Sequence, residues 1–164
     1  MIELIVLDVD GCMTDGRIIY TAQGDEVKSF NVKDGFAIAN WIALGRQAAI
    51  ITGRSSKIVE RRAKELGIQH YYQGVKDKLA TLEALCAELG IAMSQTAVVG
   101  DDLNDYRMLE ACGHSFVPAD AVHRVVEIAD TVLSRKGGDG AVREMIELLI
   151  LREGLEEEYL SRWL

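Results

Sequence analysis

The sequence predicts a doubly wound, Rossmann-like α/β sandwich built on a parallel sheet. Short apolar runs of strand length alternate with helix-period segments along the chain. The runs are continuous rather than alternating, as expected of strands buried on both faces of a parallel sheet. Polar residues, acids above all, close several of the runs, at the strand ends where such sheets gather their ligands.

The elements follow in order. Leu4-Ile5-Val6-Leu7 is the first strand and ends in Asp8-Val9-Asp10-Gly11. Residues 17–32 break the alternation: an Ala22-Gln23-Gly24-Asp25 turn flanked by β-prone residues predicts a small β-hairpin flap directly after that strand. A helix is predicted over 34–45, with Phe36, Ile38, Ala39, Ile42 and Ala43 at helical spacing. Ala48-Ala49-Ile50-Ile51 forms the next strand and ends at Thr52-Gly53-Arg54. A helix over 55–66 opens on Ser55-Ser56 as caps and closes at Gly67. Gln69-His70-Tyr71-Tyr72 is a weaker strand, and residues 77–89 form a helix carrying Leu79, Leu82, Leu85, Cys86 and Leu89. Ala97-Val98-Val99 runs into Gly100-Asp101-Asp102. Shorter helices over 102–112 and 121–129 alternate with strands at 115–117 and 131–133, and a helix over 139–151 follows the Gly137-Gly138-Asp139-Gly140 turn. The tail, 152–164, is charged but ends in Tyr159, Leu160, Trp163 and Leu164, an apolar cluster expected to dock, with another subunit as one candidate surface. With no linker, no repeat and one proline, Pro118, a single domain over 1–164 is expected, without a cap domain.

Composition narrows the function. Apolar residues make up 49% of the 164 and charged residues 27%, a globular balance. No run reaches the about 18 apolar residues of a membrane span, and the first residues lack a signal-peptide pattern. The three cysteines, Cys12, Cys86 and Cys112, form no framework, so a cytoplasmic setting is expected. A net charge of −8 argues against nucleic acid and anionic membrane as partners. A small anionic substrate then needs local cations.

Four segments carry chemistry. Asp8 and Asp10 stand at period-two spacing, so both side chains project to one side of the strand end. One carboxylate can attack phosphorus while the other gives a proton to the leaving oxygen and takes one from water. Thr52 and Gly53 offer a hydroxyl and an amide near a helix N-terminus, a cradle for phosphate. A lysine near the start of the 77–89 helix stands at the unfavourable end of the helix dipole, which suggests a phosphate or carboxylate partner. Spacing alone does not separate Lys78 from Lys76. Asp101, Asp102 and Asp105 crowd one strand end, a pattern suited to a hard divalent cation, although helix capping accounts for one of them. An aspartate nucleophile and a phosphate dianion repel each other, so this chemistry calls for Mg²⁺.

Taken together, these motifs resemble the haloacid dehalogenase superfamily. Asp8-Val9-Asp10-Gly11-Cys12-Met13-Thr14-Asp15-Gly16 matches its first motif, Thr52 its second, Lys78 its third and Gly100-Asp101-Asp102-Leu103-Asn104-Asp105 its fourth. The resemblance implies that Asp8 is phosphorylated and that Asp10 is the general acid and base. It implies Mg²⁺ held by Asp8, the Asp10 carbonyl and Asp101, with Asp102 and Asp105 supporting that shell and orienting Lys78. A narrower resemblance rests on Val32-Lys33-Asp34-Gly35, Thr52-Gly53-Arg54, Arg61-Arg62-Ala63, Gln73-Gly74 and the segment from Gly137 to Glu144. These are similar to the capless phosphatase family acting on 3-deoxy-D-manno-octulosonate 8-phosphate. That family implies release of the eight-carbon acid (KDO) for lipopolysaccharide synthesis, a homotetramer associating through the hairpins, and substrate contacts from Gly53, Arg54 and Arg62, with Lys33 and Asp34 as further candidates. One of Arg61 and Arg62 should face inward. A related family acting on nine-carbon acids tends to carry an acid where Arg54 stands and a base where Glu65 stands; this chain has the opposite pair. A non-catalytic assembly domain on the same fold is the alternative from another class, and it would be expected to lose motif residues that are intact here.

Overall fold

A computed structural model describes residues 1–164. Eight strands run in chain order: β1 (Leu4–Leu7), β2 (Ile19–Tyr20), β3 (Glu26–Val27), β4 (Gln47–Ile51), β5 (His70–Tyr72), β6 (Thr96–Val99), β7 (His114–Val117) and β8 (Thr131–Val132). Six form a parallel sheet in the order β5-β4-β1-β6-β7-β8. The chain steps outward from β1 to β4 and β5, then returns to place β6 on the other side of β1. The strand order reverses there, and in a doubly wound sheet the crevice at the carboxyl ends of such strands receives the ligand.

Two helical layers cover the sheet. Helices α1 (Val32–Ala43), α2 (Lys57–Leu66) and α6 (Ala141–Glu153) cover one face; α3 (Lys78–Leu89), α4 (Tyr106–Ala111) and α5 (His123–Val126) cover the other. Pleating divides β1 between them: Ile5 and Leu7 join the first core, Leu4 and Val6 the second, and all four are fully buried. β4 divides in the same way, with Ala48 and Ile50 facing one layer and Ala49 and Ile51 the other. This two-sided burial is the physical cause of the continuous apolar runs.

Local chemistry sets the helix ends. Asn31 accepts a hydrogen bond from the Lys33 amide and starts α1 two residues before the expected position. Ser56 and Asp77 cap α2 and α3 in the same manner. Such a cap is worth about 1 kcal/mol. Gly67 and Gly90 end these two helices. The predicted 102–112 helix divides into a short tight turn, Leu103–Asp105, and α4, because Asp105 folds back toward the sheet. The predicted 121–129 helix is confined to α5. The hairpin is present, with arms only two residues long.

The tail forms α7 (Glu156–Ser161) and docks on its own subunit. Trp163 Nε1 donates to Asn40 Oδ1 at 3.0 Å, and the Trp163 ring lies 4.8 Å from Phe36. Of the apolar residues read from the tail, Tyr159 is buried and Trp163 latches onto α1, while Leu160 and Leu164 stay exposed. No helix is long and apolar enough to cross a membrane.

Candidate active site

The crevice at the carboxyl ends of β1, β4 and β6 holds a cleft of about 130 Å³ lined by Asp8, Asp10, Thr52, Gly53, Arg54, Asp101, Asp102 and Asn104. No hydrophobic residue lines it. Seven of the eight, all but Asn104, were sequence candidates for catalysis, metal or substrate. They come from segments about a hundred residues apart in the chain, and the sheet topology alone brings them together.

Asp8 follows the last residue of β1 and is buried. The turn after it, Val9–Met13, reverses the chain at Gly11, whose φ of +101° suits only glycine. A Cβ on Gly11 would also overlap the Asp101 carboxylate, so the absent side chain is what lets Asp101 stand beside β1. The loop after β8 straps this turn in place, with the Gly138 amide donating to the Cys12 carbonyl at 3.0 Å.

Lys78, the first residue of α3, resolves the choice the sequence left open. It is buried, with Nζ 2.7 Å from Asp8 Oδ1 and 2.6 Å from Asp105 Oδ1, whereas Lys76 is exposed. Burial alone would lower the Lys78 pKa, but Asp8 and Asp105 outweigh it and hold the ammonium above its usual range. The two carboxylates also offset the unfavourable end of the α3 dipole. Asp105 is itself fixed by the chain: its Oδ2 accepts from the Asp101 amide at 3.0 Å and the Asp102 amide at 3.3 Å. A Cβ on Gly100 would collide with Asp105, so glycine there permits this fold-back.

Asp102 departs from the expectation. Its side chain accepts from the Leu103 amide at 2.7 Å and is exposed, and only Asp8 and Asp105 bond Lys78. Asp102 is the capping acid of this trio.

The candidate metal set fits a hard cation. Ligand atoms of Asp8, Asp101 and Cys12 lie within 4.8 Å of one another. A cation taking oxygen at about 2.1 Å spans ligands up to about 4.2 Å apart, so little adjustment is needed. The Cys12 thiol is pushed far up by burial and by the acids around it, so it stays protonated and is a poor ligand beside two carboxylates. The Asp10 side chain is not in this group; its Oδ1 pairs with Lys28. The electrostatics point the same way. Burial, then Asp105, push the Asp8 pKa up to about 6, and burial, then Asp8, push that of Asp101 up to about 8. Asp8, Asp10, Asp101, Asp102 and Asp105 face Lys78, Lys28 and Arg54, which leaves surplus negative charge where a phosphate must enter.

Among the substrate candidates, Gly53 and Arg54 line the cleft, and Arg54 pairs with Glu26 at 3.1 Å. Arg62 is the inward member of its pair, its side chain 20% exposed against 82% for Arg61. It does not line the cleft; its guanidinium lies over the Phe30 ring, 5.5 Å from the centroid. Lys33 lines a separate groove between α1 and α6. Asp34 is buried beneath the start of α6, its Oδ1 accepting from the Arg143 amide at 2.8 Å, so it tethers α1 to α6 and is closed to a substrate. Burial pushes its pKa up to about 6. Folding therefore favours protonated Asp34: the benefit is complete below about pH 4 and is lost as pH rises through about 6. Asp34→Asn is expected to flatten the stability profile between these limits, with a gain at neutral pH of up to about 3 kcal/mol, read by denaturant unfolding at several pH values. An unchanged slope would show that Asp34 is not the titrating group.

The residue that sequence reading missed is Lys28, whose side chain is 2% exposed and ion-paired to Asp10. The available signal was the period-two spacing of Glu26, Lys28 and Phe30 on one hairpin arm.

A parallel sheet with paired aspartates after its central strand, a buried lysine and a second acid cluster one strand away is the arrangement of a haloacid dehalogenase-like hydrolase, and the family model of that description matches residues 72–146. The chain is 45% identical over 157 residues to the 3-deoxy-D-manno-octulosonate 8-phosphate phosphatase KdsC of Escherichia coli, covering 96% of this chain and 84% of that one. It superposes with a TM-score of 0.96 and 40% identity on the crystal structure of 3-deoxy-D-manno-octulosonate 8-phosphate phosphatase from Moraxella catarrhalis in complex with magnesium, phosphate and KDO, covering 99% of this chain and 94% of that one. The cobalt-bound form of the Haemophilus influenzae phosphatase matches with a TM-score of 0.89 and 40% identity, covering 93% and 90%. The chain belongs to the 3-deoxy-D-manno-octulosonate 8-phosphate phosphatase family.

Proposed function

We propose that this protein is a single-domain cytoplasmic phosphatase hydrolysing 3-deoxy-D-manno-octulosonate 8-phosphate to KDO and phosphate through an aspartyl-phosphate, in lipopolysaccharide precursor synthesis. The observation that carries the reading is Asp8: a buried carboxylate at the carboxyl end of the central strand, 2.7 Å from Lys78 and within 4.8 Å of Asp101. The substrate reading rests on the identity to KdsC and on the KDO-bound relative.

The residues divide the work as follows. An Asp8 oxygen attacks phosphorus; the new bond to Asp8 forms as the bond to the sugar oxygen breaks. Asp10 gives its proton to that oxygen, and the KDO alcohol leaves. Asp10 then takes a proton from water as the water oxygen attacks the phosphorus of the aspartyl-phosphate, which releases inorganic phosphate and restores Asp8. Lys78 and the Thr52 hydroxyl and Gly53 amide stabilise the charge on the transferring group. Mg²⁺, held by Asp8, the Asp10 carbonyl and Asp101, supplies the positive charge that lets two anions meet. Arg54 takes the sugar-acid end of the substrate. We place the chain in a homotetramer associating through the hairpins, where Ile18, Ile19, Tyr20 and Val27 leave an apolar surface exposed.

The test is phosphate release from a panel of sugar phosphates, with sedimentation of the same sample. The expected result is strong preference for the eight-carbon acid, reversible loss of activity in EDTA, and a tetramer. Equal activity on the nine-carbon acid would remove the role given to Arg54. No turnover of any phosphate would favour an assembly domain, and a monomer would overturn the assembly.

A further inference from the structure

The hairpin arm that begins at β3 turns alternate residues toward the body of the protein. Glu26, Lys28 and Phe30 point inward, and Val27 and Ser29 are exposed. Glu26 and Lys28 each engage a residue that lines the cleft, and Phe30 engages a substrate candidate outside it. Glu26 pairs with Arg54 at 3.1 Å, Lys28 pairs with Asp10, and Phe30 lies under the Arg62 guanidinium. Glu26 also pairs with Lys28 at 3.2 Å, so Arg54, Glu26, Lys28 and Asp10 form one continuous chain of ion pairs. A flap that merely covered the crevice would need apolar or neutral residues there; a lysine with its side chain 2% exposed demands a specific anionic partner.

We propose that Lys28 is a positioning residue for Asp10: it holds Oδ1 of the acid–base residue so that the other carboxyl oxygen, carrying the proton, reaches the leaving oxygen, and so makes the hairpin a working part of the reaction. Asp10 stands just before Gly11, on a turn with little else to fix its side chain, and Lys28 is the only cation within ion-pair distance of it. Lys78, by contrast, is taken up by Asp8 and Asp105. Glu26 positions Lys28 in turn and ties it to Arg54, so the acid–base end of the site and its substrate-recognising end are set by one arm.

The inference rests on the phosphatase reading, and its test separates the two. A lysine that positions the general acid matters most when the leaving group needs a proton. Its loss should therefore fall on an alkyl phosphate such as the sugar substrate far more than on p-nitrophenyl phosphate, whose phenolate leaves unprotonated. The quantity to measure is kcat/KM, which reports only the steps up to release of the alcohol. The parent, Asp10→Asn, Lys28→Met and Lys28→Arg are compared on both esters, with circular dichroism to confirm folding. General acid catalysis is worth about 10²–10⁴-fold. Lys28→Met is expected to lose about 10²-fold on the sugar phosphate and under about tenfold on the aryl ester, the pattern of Asp10→Asn. Lys28→Arg should recover part of the loss on the sugar phosphate, and Lys28→Met should add little in the Asp10→Asn background. Equal losses on both esters, or additive losses in the double variant, would overturn the proposal by making Lys28 a phosphate-binding or structural cation. If Lys28→Met does not fold, a Lys28→Arg enzyme that loses more on the sugar phosphate than on the aryl ester supports the proposal, and one with an equal loss on both overturns it. A parent inactive on both esters would instead remove the phosphatase reading itself.

Discussion

Replacing Asp8 by asparagine is expected to lower turnover by at least about 10⁴-fold while leaving the fold intact. The amide has nearly the same shape as the carboxylate, and its oxygen can still accept from Lys78, which keeps Asp105 as its second partner. Burial and Asp105 already disfavour the ionised form of Asp8, so removing that charge costs the folded state little. What is lost is an oxygen nucleophile able to form an acyl phosphate. Thermal unfolding should move by a few degrees at most, and phosphate release should vanish in a single-turnover assay. Residual activity within tenfold of the parent would defeat the assignment.

Lys78→Met should damage both activity and stability. Its ammonium is the sole cation between two buried carboxylates, and deleting one partner of a buried ion pair costs about 3–5 kcal/mol. For a chain of this size each kcal/mol moves the midpoint by about 2–4 °C, so a fall of about 10 °C is expected. Because the damage is uncompensated negative charge, Mg²⁺ should restore part of the stability but not the activity. A variant as stable as the parent without added metal would contradict the buried network described here.

Much of the fold was legible because burial on both faces writes itself as continuous apolar runs. Leu4–Leu7, Gln47–Ile51 and Thr96–Val99 were each found to within a residue. The site was legible for a related reason: acids such as Asp8 and Asp101 at the ends of buried strands have no ordinary structural explanation. Helix starts were shifted where a capping side chain, Asn31 or Ser56, governs the first turn. Roles decided by three-dimensional choice were not legible. Asp102 and Asp105 look alike in sequence, yet one caps a turn and the other holds Lys78 because only Asp105 folds back over Gly100. Asp34 sits in a motif-like segment but is closed off beneath α6. Lys28 lay in a hairpin whose arms pair over only two residues each, too short for alternation to stand out, and its partner is 18 residues away.

The most direct test of the central claim is to catch the phosphoryl group on the protein. Substrate and Mg²⁺ are mixed rapidly with the enzyme, quenched in acid, and the peptides examined by mass spectrometry. An acid-stable, alkali-labile phosphoryl adduct on Asp8, absent from Asp8→Asn and from metal-free enzyme, is the expected result. An adduct on another residue, or full turnover with phosphate never attached to Asp8, would contradict the account.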